Sequence, residues 1–205
     1  MSKIKLTKGE LKRQRDALKQ FRRYLPTLLL KKQQLQMKIL EGRKDLERQQ
    51  ERVAVQAERI ESWAGLLSDP GVSMKEWVKP SKVETSTTNI AGATVPVFER
   101  VLFPPAEYSL RTTPFWTDRG LEALRLFQTA KEEARVIEQR IAVLERELRI
   151  TTQRVNLFEK VKIPECKENI RRIRIYLGDQ QANAVGVSKV AKKKVEARNQ
   201  EAVAV

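Results

Sequence analysis

Apolar residues recur along this chain in a three-four rhythm that persists for dozens of residues at a time. From Leu11, every seventh position reads Leu11, Leu18, Leu25, Lys32, Ile39, Leu46, Val53, Ile60 and Leu67, so Lys32 alone is polar. The interleaved positions add Phe21, Leu28, Leu35 and Trp63, but also Gln14, Gly42, Gln49 and Gln56. Downstream, Phe127, Ala134, Ile141, Leu148 and Val155 form a second series, with Ala130, Ile137, Leu144 and Phe158 between them. A seam held over this many heptads predicts a coiled coil rather than an ordinary globular helix. At 1.5 Å per residue the first helix would reach about 85 Å, and Phe127 to Leu177 about 75 Å. Matched lengths on one chain predict a mainly α fold. Its form would be a long antiparallel two-helix coiled coil with a small central insert that contains a β-hairpin.

The expected organisation is an N-terminal helix over 1–67, a central insert over 68–119, a C-terminal helix over 120–178 and a basic, frayed or disordered tail over 179–205. The first helix should open near Thr7 or Lys8, because Thr7 and Glu10 have capping-box spacing. Asp69-Pro70-Gly71 should close it. Pro26 falls inside the helix and removes a backbone hydrogen bond, costing about 3 kcal/mol where uncompensated. Flanking leucines stay in register, so a kink is expected there rather than a break. The second helix should begin at Thr117 or Asp118, either a good cap. After Phe158 the seam continues through Lys162, Cys166, Ile170, Ile173 and Leu177 in successive steps of four, the pattern of a stutter. Pro164 lies in that stretch and predicts a kink, and Gly178 a weak point or end.

Six of the eight prolines fall within 68–119. Val83–Ile90 is rich in threonine and β-branched residues, Ala91-Gly92 reads as a turn, and Ala93–Phe103 alternates Val95, Val97, Val101 and Phe103. That is a hairpin pattern. Pro96 would then face an unpaired edge or sit at a bulge. Trp63, Trp77 and Trp116 surround the insert and are expected to pack its small core against the end of the helical hairpin.

Charge narrows the picture. The net charge is +15. Residues 1–38 hold 12 Lys/Arg and 2 Asp/Glu, residues 160–205 hold 11 and 5, and the stretch between them is nearly balanced. Antiparallel pairing would set the two basic ends side by side, making a field that attracts an acidic partner, nucleic acid or an anionic membrane surface. No apolar run is long enough to span a bilayer. The basic start Met1–Lys5 is not followed by an apolar signal-peptide core, and the lone Cys166 excludes an internal disulfide. Both point to the cytoplasm.

Catalytic chemistry is not visible. With no histidine, imidazole catalysis and histidine metal sites are excluded. No Gly-rich phosphate loop ending in Gly-Lys-Ser/Thr occurs. Cys166 falls on the seam and reads as a small buried hydrophobe. Glu132-Glu133 reads as salt-bridging helix surface. No catalytic residue, cofactor or metal is expected.

Three segments carry a family resemblance. One is Thr7-Lys8-Gly9-Glu10-Leu11-Lys12 with the later run Leu28-Leu29-Leu30-Lys31-Lys32. Another is Asn89-Ile90-Ala91-Gly92-Ala93-Thr94-Val95-Pro96-Val97. The third, and most specific, is Arg154-Val155-Asn156-Leu157-Phe158-Glu159-Lys160-Val161-Lys162-Ile163-Pro164. Together they resemble the D-type rotor subunits that form the central stalk of V-type and A-type ATPases and ATP synthases. Pro26 and the small-residue tail after Gly178 depart from that pattern.

The resemblance implies a shaft inside a ring of catalytic and regulatory nucleotide-binding subunits. It also implies a small second stalk subunit bound to the middle portion and a membrane-side socket subunit. Torque would couple ATP hydrolysis or synthesis to proton or sodium transport, with no direct membrane insertion and no nucleic acid. The basic end is then the expected ring bearing: Lys12, Arg13, Arg15, Lys19, Arg22 and Arg23 beside Lys167, Arg171, Arg172 and Arg174. Two other readings remain, a nucleic-acid-associated coiled coil binding phosphates through the basic end and a passive scaffold. Against the first, no recognised base-reading motif appears.

Overall fold

The computed structural model describes residues 4–68, 74–109, 111 and 113–203 of the 205. Helix α1 spans Lys8–Glu61 and is followed by a 3-10 turn at Ala64–Ser68. A one-turn helix α2, Lys75–Val78, leads into strands β1, Lys82–Ile90, and β2, Ala93–Leu102. Helix α3, Thr117–Asn156, passes through a π-helical segment, Leu157–Lys162, into helix α4, Ile163–Val203. The chain folds as two units, one built from Met1–Leu29 with Gln153–Val205, the other from Leu30–Thr152. Helices and one hairpin make a mainly α protein, as the heptad pattern predicts.

The α1 start follows its sequence signal, with the Glu10 backbone N–H donating to Thr7 Oγ1 at 3.2 Å. The helix continues through Pro26 without a break. Pro26 is exposed, so the carbonyl it leaves unpaired at Arg22 faces water rather than the packed seam. The far end differs from expectation. The α-helix stops at Glu61, not near Leu67, because bonds there shorten to three residues: Trp63 N–H donates to the Ile60 carbonyl and Leu66 N–H to the Trp63 carbonyl. Asp69-Pro70-Gly71 lies outside the described residues.

In the second unit the two helices pair antiparallel and the hairpin lies on them. Leu35 and Ile39 of α1, Ile141 and Leu144 of α3, and Ala93 and Val95 of β2 form one buried cluster. The hairpin therefore shares the helical core. The tryptophans do a separate job towards the end of α1, where Trp63 and Trp116 rings sit 6.4 Å apart. Trp77 stacks near Tyr108 at 5.3 Å, and the Tyr108 hydroxyl donates to the Asp118 carboxylate. That bond raises the Tyr108 pKa. Arg125 closes the region by donating to the Trp77 carbonyl at 3.1 Å and the Pro104 carbonyl at 2.6 Å, with its guanidinium over the Phe103 ring.

The hairpin turn places Ala91 at φ 50° and Gly92 at φ 80°, the double positive φ of a type I′ turn. Gly92 N–H donates to Asn89 Oδ1 at 2.9 Å. Counting hydrogen-bonded pairs outward from Ile90–Ala93, the Thr87–Pro96 pair is a non-bonded one. The missing Pro96 N–H thus points away from β1, and the bulge falls elsewhere, at Glu84/Thr85.

Two apparent gaps in the seam are parts of it. Gly42 is buried, and a Cβ placed there would meet Ile141 Cγ1 at 3.2 Å, so glycine lets the helices close at that layer. Gln49 is 4% exposed; its Nε2 donates to the Ala130 carbonyl at 3.2 Å and to Glu133 Oε2 at 2.8 Å. A buried polar group in a largely apolar seam fixes register more than it adds stability. Gln49→Ala should lower stability by about 1–3 kcal/mol through lost hydrogen bonds and a cavity. Gln49→Leu should unfold in urea within about 1 kcal/mol of the parent. Lys31–Glu147 and Arg43–Glu145, each at 2.7 Å, add cross-helix ion pairs on the flanks.

Helix α3 starts at Thr117, as expected, but not through a Thr117 cap. That hydroxyl is buried without a hydrogen-bond partner among the described residues, and the first turn is closed by Thr117 N–H to the Pro114 carbonyl at 3.1 Å.

In the first unit Phe21 packs on Phe158 with ring centroids 5.0 Å apart. Val155, Cys166, Ile170 and Ile173 are buried. Pro164 has no N–H, and the chain widens just before it: Ile163 N–H reaches back to the Phe158 carbonyl, five residues earlier. The wide turn takes up an extra residue immediately before Pro164. Helix α4 then runs through Gly178 to Val203, where the sequence suggested an end and a frayed tail. One glycine costs about 1 kcal/mol relative to alanine, and the stretch beyond is rich in alanine, glutamine and lysine. Every residue from Gly178 to Ala197 is exposed.

Candidate partner-binding groove

In the first unit, Arg15, Lys19 and Arg22 follow one another at steps of four and three, which places them on one face of α1. Lys167 and Arg174, seven apart, do the same on α4. The five side chains line one groove whose floor is Leu18 and Ile170. No carboxylate lines it. None of the five cations takes an ion pair or side-chain hydrogen bond among the described residues. An apolar floor between uncompensated cations strengthens the attraction felt by an incoming anion.

The other basic positions expected at this end behave differently. Arg171 donates to both oxygens of Glu168, at 2.9 and 2.8 Å, and Arg172 donates to Glu168 Oε1 at 2.9 Å. These two guanidinia, Arg171 first, hold the Glu168 pKa down at about 2. Arg13 stands 4.0 Å from Glu10 and is largely exposed. Lys12 and Arg23 are exposed and do not line the groove. Of ten basic residues singled out in the sequence, five converge on the groove and two share the Glu168 carboxylate. The Glu168 spacing to Arg171 and Arg172 was a readable signal of that pairing.

Glu168 gives a direct pH test. Its folded pKa is depressed, so its favourable interaction is complete above the ordinary value of 4.5 and is lost as pH falls from there towards about 2. The carboxyl carbon resonance of Glu168 should titrate near the low end of that window. In Arg171→Gln it should move back towards 4.5.

The seam residues Leu11, Leu18, Leu25, Ile39, Leu46, Val53, Ile60, Ile137, Ile141, Leu144, Leu148, Val155 and Phe158 are each buried or half-buried in their own unit. Cys166 is buried, and desolvation followed by the nearby Glu165 raises its thiol pKa. Such a thiol is a poor nucleophile. Among the described residues no group of three or more Cys, Asp and Glu side chains is placed to hold a metal ion. No described helix is long and apolar enough to cross a membrane.

Comparison with known proteins gives the lineage. The family profile for the D subunit of ATP synthase matches residues 10–193. The D subunit of the V-type ATP synthase of Borreliella burgdorferi is 44% identical over 204 residues, covering 97% of this chain and 98% of the relative. The corresponding proteins of Chlamydia pneumoniae and Chlamydia caviae are 37% and 36% identical, over 95% and 98% of this chain and 94% and 97% of their own lengths. The chain belongs to the family of ATP synthase D subunits.

Proposed function

We propose that this chain is the central-stalk shaft of a V/A-type rotary ATPase, carrying torque between a nucleotide-binding ring and a membrane ion-carrying ring. It is a non-catalytic part of the complex, cytoplasmic and peripheral to the membrane. ATP hydrolysis or synthesis elsewhere in the complex is coupled through it to proton or sodium movement. Its partners are the catalytic and regulatory ring subunits, a small second stalk subunit and a membrane-side socket.

The observation that carries this reading is the groove of five cations, unpaired among the described residues, in the unit built from Met1–Leu29 and Gln153–Val205. Exposed charges attract at long range with little directional preference. A shaft turning past successive acidic loops of a ring needs that kind of contact, because interlocked apolar surfaces would resist sliding. Continuous helices with a buried seam supply the stiffness.

Isolation of the tagged chain from nuclease-treated native membranes at moderate salt tests the reading. Recovery of nucleotide-binding subunits with ATPase activity supports it. Recovery of nucleic-acid-handling proteins alone would favour the phosphate-binding alternative and overturn the shaft.

A further inference from the structure

The second unit contains a separate polar groove, between β2 and the helix pair, that its own side chains do not satisfy. Its walls include Pro96, Val97 and Phe98 of β2 with Val136 and Ile137 of α3. Its charged lining is Asp45, Arg48 and Arg52 from α1 and Glu133 and Arg140 from α3. Both carboxylates are already engaged: Asp45 pairs with Arg48 at 2.7 Å, and Glu133 accepts from the buried Gln49 amide at 2.8 Å. Among the described residues Arg52 reaches only the Gln49 side-chain oxygen, at 3.4 Å.

Arg140 is left over. It is half-buried, its Nε is buried without an acceptor, and it takes no ion pair among the described residues. A guanidinium taken partly out of water is ordinarily paired, because an unmatched charge in apolar surroundings is costly. Beside Val136, Ile137, Val97 and Phe98, an anion reaching Arg140 would be less screened than one on open surface. The planar fork of arginine suits an oxyanion contacted by two N–H groups at once.

We propose that this groove is an oxyanion site, with Arg140 as its principal ligand through the Nη edge and Arg52 as the second cation. Its occupant is a carboxylate or phosphate group, supplied either by a free anion or by an acidic side chain of a neighbouring subunit. The site is distinct from the basic groove of the first unit and does not depend on the shaft reading.

The test follows the Arg140 Nε–H resonance in the full-length chain, assigned by its disappearance in Arg140→Lys. Inorganic phosphate is titrated against chloride at constant ionic strength. A saturable shift with phosphate, retained in Lys192→Gln and absent from the remaining spectrum of Arg140→Gln, supports a free-anion site. A resonance that ignores phosphate but shifts on assembly into the complex supports a partner carboxylate. In that case Arg140→Gln should weaken assembly about tenfold, in line with loss of one charge-assisted contact. A resonance indifferent to both, with Arg140→Gln assembling like the parent, overturns the proposal. Should Arg140→Gln fail to fold, Arg140→Lys keeps the charge and removes the fork, so the assembly measurement still decides.

Discussion

Reversing Arg15, Lys19, Arg22 and Lys167 to glutamate should abolish tight coupling while leaving the chain folded. All four are exposed groove residues without an ion pair or side-chain hydrogen bond among the described residues, so their loss leaves no described buried group unsatisfied. Each exposed pair with an acidic partner is worth roughly 0.2–1 kcal/mol, so four together reach about 1–4 kcal/mol before the added repulsion. Assembly should therefore weaken at least about fivefold at low salt. ATP-driven ion pumping should fall further than ATP hydrolysis, because a ring that no longer grips the shaft can turn over unproductively. Reversing Lys12, Arg23 and Arg13, which lie off the groove, should do much less. Equal loss from both sets would mean that net charge, not the groove, matters. Unchanged pumping in the groove variant would remove the bearing altogether.

The second large effect concerns the hairpin. Leu144 and Val95 are each 0% exposed and belong to one cluster spanning α3 and β2. Leu144→Ala should destabilise by about 2–5 kcal/mol, the range for a buried leucine truncated in a core that relaxes only partly. Val95→Ala should cost about 2 kcal/mol, for two buried methyl groups and the space they leave. Because the residues share a core, the double variant should depart from additivity by about 0.5–3 kcal/mol. Urea unfolding of the full chain and its single and double variants measures all three. A negligible cost for Val95→Ala would make the hairpin a surface appendage. Its hold on the helices would then rest on the tryptophan and Arg125 contacts towards the end of α1.

The main outline was legible because burial imposes a period. Leu35, Ile39, Ile141 and Leu144 announce the seam, and Ala91-Gly92 between β-rich runs announces the hairpin. What the sequence hid were properties of pairs. Gly42 and Gln49 look like defects until Ile141 and Glu133 are set opposite them. The hairpin reads as an insert packed by tryptophans on the end of the helices until Val95 is found in one cluster with Leu35 and Leu144. Gly178 misled for an energetic reason, since one glycine is too small a penalty to end a helix with good formers on both sides. Pro164 announced a disturbance, but not that a wide turn would absorb it. At the basic end, the run of charge was obvious, and Glu168 was within reach of Arg171 and Arg172 by spacing alone. Which cations remain unpaired, and that Arg15 and Lys167 line one groove, required the fold.

Single-molecule observation of the assembled complex tests the shaft most directly. The ring would be fixed to a surface and a probe attached through a cysteine introduced at the exposed Glu99. Cys166 is buried with its pKa raised, so it should not compete for the label. On addition of ATP, the probe should turn in steps and in one direction, and stop when ATP is exhausted. ATP hydrolysis at full rate beneath a stationary probe would contradict the account.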